Sequence, residues 1–368
     1  MQQNKDVFII STYPPTPGGI SNFTKRTVCS LRDIGVTVNI TPFTGVLSAF
    51  SIFKSIISLK PSNIRMEYDI STYGASGPLL IAGVWALKKL QGYKLFFNFH
   101  EVTRDLEHLK MLGRVYYTLI ANFCDYITVH TYESKNTLIS KCRVSADRIY
   151  VIPLGTMNKD LSITNKEEMF ARYALEGNYF LFIGFIHPQK GIENFIKASK
   201  ELERLNKEAF DRMSFVIAGG VRPRKGVFKI FQRADNLYFE SLKRLVVDLG
   251  LQEKVKFLGY IEDKFFSSLI INSEAVVIPY VKTEQSGVLN QVLPYQVPII
   301  ASNIGGLGET LRDFGMLVEK DDFEKIATFM NELITDRTKK TALLEGYKKL
   351  NSELEPANIA KMFEERLV

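Results

Sequence analysis

Short apolar runs alternate with segments of helical periodicity along the chain, and the apolar runs repeatedly end in glycine or a polar turn. Asp6 to Ser11 is the first run, and Tyr93 to Phe99, Asp125 to His130 and Ile149 to Gly155 follow in the first half. Tyr179 to Gly184, Ser214 to Gly220, Val255 to Tyr260, Glu274 to Pro279 and Pro298 to Ser302 continue the series in the second. Runs of about four to eight residues bounded by turn signals read as strands buried on both faces, and the 3.6-residue periodicity between them reads as covering helices. The alternation predicts an α/β fold with parallel sheets in two halves. The polar stretch Thr156 to Asn165 reads as the linker, giving domains over residues 1–155 and 156–350. A last helix, Pro356 to Leu367 within residues 351–368, is expected to pack back across that linker.

The richest stretch is Tyr280 to Glu309, whose pattern is strand end, Gly-containing turn, helix, strand, Gly pair. A turn that enters a helix through Ser286-Gly287 aims unpaired backbone N–H groups and the positive end of the helix dipole at whatever lies above, which suits a phosphate. Glu309, just past Gly305-Gly306, is placed to reach a sugar hydroxyl or to cap a helix beginning near Thr310. Lys190-Gly191 sets an ammonium beside N–H groups at another helix entrance. Gly18-Gly19 stands between the first strand and a helix from about Phe23, where a missing Cβ lets backbone approach a ligand. Each of these also reads as ordinary turn chemistry. His100-Glu101 ends a strand, with Arg104 and Asp105 a turn later, and ligands of open α/β sheets bind at that edge. Arg222, Arg224 and Lys225 read as a solvated basic loop.

Composition narrows the class. The 368 residues are 46% hydrophobic and 24% charged, which excludes disordered and collagen-like chains. Cys29, Cys124 and Cys142 have no paired spacing, so neither a disulfide framework nor a zinc site is expected, and a reducing cytoplasmic setting follows. No Asp-x-Asp pair or His/Cys cluster suggests a metal, and no cofactor is expected. The longest nearly uncharged stretch, Gly74 to Leu87, is 14 residues, short of the roughly 20 that span a bilayer. Residues 1–155 hold 17 Lys and Arg against 10 Asp and Glu, so the whole net charge of +7 sits in the first half. An anionic membrane face is the partner this favours; nucleic acid is not, because no recognised motif accompanies the scattered basic residues. Val46 to Lys60 puts Val46, Ala49, Phe50, Phe53, Ile56 and Ile57 on one helical face, either packed on a sheet or resting on lipid headgroups.

FIGFIHPQKGIENFIKA, VKFLGYIEDKFFSSLIINSEAVVIPY, QSGVLNQVLPYQVPIIAS and GGLGE resemble, in order, the blocks of the C-terminal domain of GT-B glycosyltransferases of family 4, also called group 1. PGGISNFTK and FFNFHE resemble the two N-domain blocks, so the likeness covers nearly the whole chain. It implies two Rossmann-like domains facing a central cleft, the first binding the acceptor and the second the donor. The implied reaction is metal-free, retaining transfer of a sugar from a UDP- or GDP-sugar to an acceptor hydroxyl, here a lipid-linked or saccharide acceptor of bacterial surface polysaccharide synthesis at the inner membrane face. By the same likeness Gly19, with Gly18, approaches the donor phosphates, His100 contacts sugar or acceptor, and Lys190 with Gly191 holds the diphosphate. The turn Gln285-Ser286-Gly287-Val288 caps it, Gly259-Tyr260 lies near the base, and Glu284 and Gln291 take the places of two glutamates common in the family. The chain departs from that pattern in two ways. Phe185 stands where many members have Arg, leaving either His187 as substitute or one charge contact absent, and the second carboxylate is the amide Gln291 with the spacing one residue shorter. A neutral amide is a weaker ribose acceptor than a carboxylate. A nucleotide-sugar 2-epimerase and a non-catalytic partner subunit fit the same fold.

Overall fold

A computed structural model of the chain describes residues 6–16, 18–157, 166–221 and 232–367. Among these residues lie two six-stranded sheets in which every pairing is parallel. The first contains β1 (Asp6–Ser11), β2 (Thr37–Pro42), β3 (Asn63–Tyr68), β4 (Lys94–Phe99), β5 (Tyr126–Val129) and β6 (Ile149–Val151), in the order β2-β1-β3-β4-β5-β6. The second contains β7 (Asn178–Ile183), β8 (Met213–Ala218), β9 (Val255–Gly259), β10 (Ala275–Ile278), β11 (Ile299–Ser302) and β12 (Met316–Val318), in the order β12-β11-β10-β7-β8-β9. Strand order reverses between β1 and β3 in one sheet and between β7 and β10 in the other. Open α/β sheets bind ligands beyond the C-terminal ends of the strands at such reversals. The basic loop read at Arg222, Arg224 and Lys225 lies outside the described residues, as do residues 158–165 of the linker.

The chain divides into two compact units, residues 1–155 with 353–368, and residues 156–352. In the first unit the last helix, Pro356–Glu364, buries Ile359, Ala360 and Phe363 and packs on the helix Gly19–Asp33. Central strands are apolar on both faces because helices cover both. β10 and β11 are buried throughout, and β7 from Tyr179 onward.

β3 breaks that rule. Its Ile64, Met66 and Tyr68 enter the main apolar core of the first unit, whereas Asn63, Arg65 and Glu67 alternate onto the opposite face and are also buried. The period of two does the same on the neighbouring strands. Leu95, Phe97 and Phe99 of β4 and Ile127 and Val129 of β5 join the apolar core, while Asn98 and Thr128 stay on the face of Glu67. The register makes Glu67, Asn98 and Thr128 direct neighbours across three strands.

Three sequence expectations change. The first helix begins at Gly19, not near Phe23, with Gly18 at φ +148 as the residue before it, so the glycine pair is the helix entrance itself. The helix expected near Thr310 begins at Gly305, because Ile304 is extended and the glycines turn directly into helix; Glu309 therefore lies inside it and does not cap it. The helix Ser48–Leu59 does not present one apolar face. Ile52 and Ile56 are fully buried with Ala49 and Phe53 against them, while Phe50 is 73% and Ile57 52% exposed, beside Val46 and Leu47.

Candidate functional site

In the first unit the row Glu67, Asn98 and Thr128 continues past the strand ends into His100 and His130. The Thr128 hydroxyl donates to Asn98 Oδ1 (2.6 Å), which orients the amide so that Nδ2 donates to Glu67 Oε2 (2.6 Å) and lies 3.3 Å from His130 Nε2. Glu67 Oε2 is 2.9 Å from His100 Nε2, and its other oxygen meets Arg65 Nε at 2.6 Å. Burial alone would raise the Glu67 carboxyl, but the adjacent Arg65 charge and the hydrogen bonds from His100 and Asn98 hold it down at about 2. His130 Nδ1 donates to the Ile152 carbonyl (2.8 Å); burial, reinforced by the neighbouring His100, pushes its pKa down to about 3. Phe23, one turn after Gly19, sets its ring edge on both imidazoles at 5.1 and 5.3 Å.

Just beyond, Arg104 binds Asp69 (3.2 Å), Asp105 (3.1 Å) and Glu101 (3.4 Å), and the Tyr117 hydroxyl donates to Asp105 (2.8 Å). Burial raises the pKa of Glu101 and of Asp105 despite the arginine. Glu101, Arg104 and Asp105 of the cluster expected from sequence thus meet, with Asp69 and Tyr117 added, while His100 bonds to Glu67 instead.

In the second unit the loop after β7 folds down on the loop after β10. His187 Nδ1 accepts from the Gln189 N–H (3.2 Å), so the proton of the neutral ring is on Nε2, the nitrogen 3.7 Å from Asp235. The Val281 N–H donates to the Gln189 carbonyl (3.0 Å). Gly191 has φ +59, and a Cβ there would sit 2.0 Å from the Pro279 carbonyl oxygen, so only glycine lets the two loops touch. The Lys190 ammonium lies 3.6 Å from the centroid of the buried Tyr280 ring. Glu284, buried, fastens the third loop through its carbonyl, which accepts from the Gly306 N–H (2.9 Å). The Ser286 hydroxyl accepts from the Leu289 N–H (3.1 Å), capping the short helix Gly287–Val292. A Cβ on Gly184 would meet Val288 at 3.6 Å, and one on Gly219 would strike the Gly184 carbonyl oxygen at 1.8 Å. Gly219 in turn donates its N–H to the Gly259 carbonyl (2.7 Å), which places Gly259 and the exposed Tyr260 at the same strand edge.

The structure therefore gathers His187, Lys190, Gly191, Glu284, Gln285, Ser286, Gly287, Val288 and Gly259 around the reversal of the second sheet. Gln291 and Glu309 are half-buried on the helices that leave it. Sequence reading missed Arg65, Glu67, Tyr280 and Asp235. The spacing of Arg65 and Glu67, two charges at i and i+2 in an otherwise apolar run, was a visible signal for the first pair. Among the described residues no group of three or more His, Cys, Asp or Glu is placed to hold a metal, and no helix is long and apolar enough to cross a membrane.

Residues 165–350 match the family model of glycosyl transferases group 1. The α-D-kanosaminyltransferase of Streptomyces kanamyceticus is 24% identical over 212 residues, 56% of this chain and 50% of that protein. The O-antigen chain mannosyltransferase RfbU of Salmonella typhimurium is 28% identical over 201 residues, 54% and 48% of the two chains. The chain spans about half the length of the curated relatives it matches. Among solved structures, Anabaena Alr3699/HepE in complex with UDP superposes with a TM-score of 0.75 at 14% identity, covering 98% of this chain and 99% of that one. Sucrose-phosphate synthase from Thermosynechococcus elongatus gives 0.71 at 16%, covering 98% of each. These structural likenesses speak for the fold, which is the GT-B type of two parallel-sheet α/β units. Since the family model takes in half of the sequence and spans the loops after β7, β10 and β11, the chain belongs to the glycosyl transferases group 1 family.

Proposed function

We propose that the protein is a retaining glycosyltransferase, of the family 4 subgroup with QSGV, that moves a sugar from a UDP- or GDP-sugar to a hydroxyl of a lipid-linked saccharide in surface polysaccharide synthesis. The observation that carries the reading is the His187–Gly191 turn seated on Pro279–Lys282, with the Lys190 ammonium lodged on Tyr280 beside the Ser286-capped turn. A fixed positive charge and fixed N–H groups interact most strongly as negative charge builds on the departing diphosphate, which lowers the barrier. His100 is assigned to the sugar or acceptor hydroxyl. Glu284, Gln291 and Glu309 are assigned to donor hydroxyls, Gly18 and Gly19 to its phosphates, and Gly259 and Tyr260 to its base. In support, HepE is described with UDP and with UDP-glucose, and RfbU as an O-antigen mannosyltransferase.

A thermal-shift screen of nucleotides and nucleotide sugars tests the donor assignment. The right donor at 100 times its Kd should add about 2.7 kcal/mol to stability, and sugar transfer should proceed in buffer containing EDTA. A flat screen across uridine and guanosine diphosphates sinks the donor reading. Epimerised donor without transfer would identify an epimerase instead.

The lipid-linked acceptor rests on the first unit. Phe50, Ile57, Val46 and Leu47, the last 82% exposed, sit on one helix and its lead-in with the exposed Lys54 and Lys60, in the half that carries the +7 excess. Each basic residue near an anionic surface contributes about 1 kcal/mol, and insertion of exposed apolar side chains adds to it. Co-sedimentation with anionic vesicles should exceed that with neutral ones and weaken with salt. Equal low binding to both at low salt removes the membrane claim and favours a soluble acceptor.

A further inference from the structure

Arg65 and Glu67 lie outside every block of the family resemblance, yet they occupy the centre of the first sheet, 3% and 0% exposed. A buried ion pair is expensive, since both charges lose water and the attraction between them need not repay it. Here Arg65 Cζ lies over the Phe363 ring, 3.5 Å from its centroid, and Arg65 Nε is 2.6 Å from Glu67 Oε1. Glu67 Oε2 is thereby aimed at Asn98 and His100.

The chemistry of the acceptors fixes the protons. An ionised carboxylate only accepts, so His100 must carry a proton on Nε2, the nitrogen 2.9 Å from Glu67. A carbonyl only accepts, so His130 must carry its proton on Nδ1, facing Ile152 O at 2.8 Å, and its Nε2 then accepts from the Asn98 amide. Two imidazoles 4.9 Å apart are thus set in opposite tautomers by one asparagine, one carbonyl and one carboxylate.

We propose that Glu67, paired with Arg65 over Phe363, is a positioning residue that holds a proton on His100 Nε2, so that the neutral ring is the Nε2–H tautomer with its lone pair on Nδ1. The catalytic consequence rests on His100 meeting the sugar or acceptor hydroxyl, as assigned above; the tautomer does not. A ring free to exchange tautomers would present a lone pair in one state and an N–H in the other, and only one matches a hydroxyl held in a given orientation.

The test is a long-range ¹H–¹⁵N correlation spectrum of the full chain labelled at its four histidines. Assignment comes from His100→Gln and His130→Gln. His100 should show the Nε2–H pattern and His130 the Nδ1–H pattern; Nδ1–H at His100 overturns the proposal without reference to any activity. The paired variant Arg65→Met/Glu67→Gln removes both buried charges together, and its glutamine can either donate or accept. In it the His100 signals should move to a mixture of tautomers. If transfer is measured, kcat should fall on the order of tenfold while the donor-induced Tm shift is kept, a part of the 10²–10⁴ that a positioned acid or base supplies. Unmoved His100 signals, or moved signals with unchanged kcat, overturn the positioning role. Should no donor ever turn over, the sugar-transfer reading fails and the wild-type spectrum still decides the tautomer.

Discussion

Lys190→Ala is expected to lower kcat/KM for sugar transfer by on the order of 100-fold, equivalent to about 2.7 kcal/mol of transition-state stabilisation. The expectation follows from where the ammonium is held. Its stem leaves a turn fixed at both ends, by the His187 cap before it and by Gly191 against Pro279 after it, and its charge rests on the face of Tyr280. Little rotational freedom is left to lose when a diphosphate arrives, so the charge is organised in advance of the reaction. The cation–π contact itself contributes about 0.5–2 kcal/mol, so the variant should also lose a few degrees of Tm, but not its fold. Steady-state kinetics at saturating acceptor, with circular dichroism as the control, make the comparison. An unchanged kcat/KM rejects Lys190 as the diphosphate contact, and a loss that tracks unfolding would make the residue structural.

How legible these sites were differs between the two units, for a physical reason. The loops of the second unit announce themselves because their backbones touch. Gly191 and Gly219 are imposed by carbonyl oxygens that would lie 2.0 and 1.8 Å from a side chain, so contact geometry is written directly as glycine. The first unit keeps its chemistry inside the sheet. β3 was not anticipated because Asn63, Arg65 and Glu67 interrupt the apolar run, although their period of two is that of a strand. β2 and β12 escaped for lesser reasons, one being a polar edge strand and the other three residues long. The helix Ser48–Leu59 shows the limit of periodicity: it marks which positions are apolar, not whether protein or solvent meets them. His100 and its polar neighbours were legible from their place at a strand end. Their partner Glu67 needed the register between β3 and β4, which only the fold supplies.

Folding stability is expected to fall by about 2 kcal/mol between pH 7.5 and pH 5 through His130 alone. In the unfolded chain this imidazole takes up its proton near 6.5; in the folded protein it does so only near 3, chiefly because it is buried and secondarily because His100 is close. Between those values the unfolded state binds the proton and the native state does not. Protonation therefore pulls the equilibrium toward unfolding as pH falls, by about 1.4 kcal/mol per unit once below 6.5. The groups around the ring do not reverse the sign. Glu67 is held down at about 2 from 4.5, so its contribution too is present above 4.5 and is lost as pH drops toward 2. Glu101 and Asp105 oppose it, since their raised values mean the native state binds their protons first and gains stability on acidification. Comparison with His130→Gln isolates the histidine. The glutamine keeps a polar group facing Asn98 but cannot take a proton, so the variant should be less stable at pH 7.5 and lose about 2 kcal/mol less than wild type on the way to pH 5. Urea midpoints at several pH values give both curves. Parallel curves would mean that His130 titrates alike in the folded and unfolded chain, and the buried neutral imidazole beside His100 would have to be abandoned.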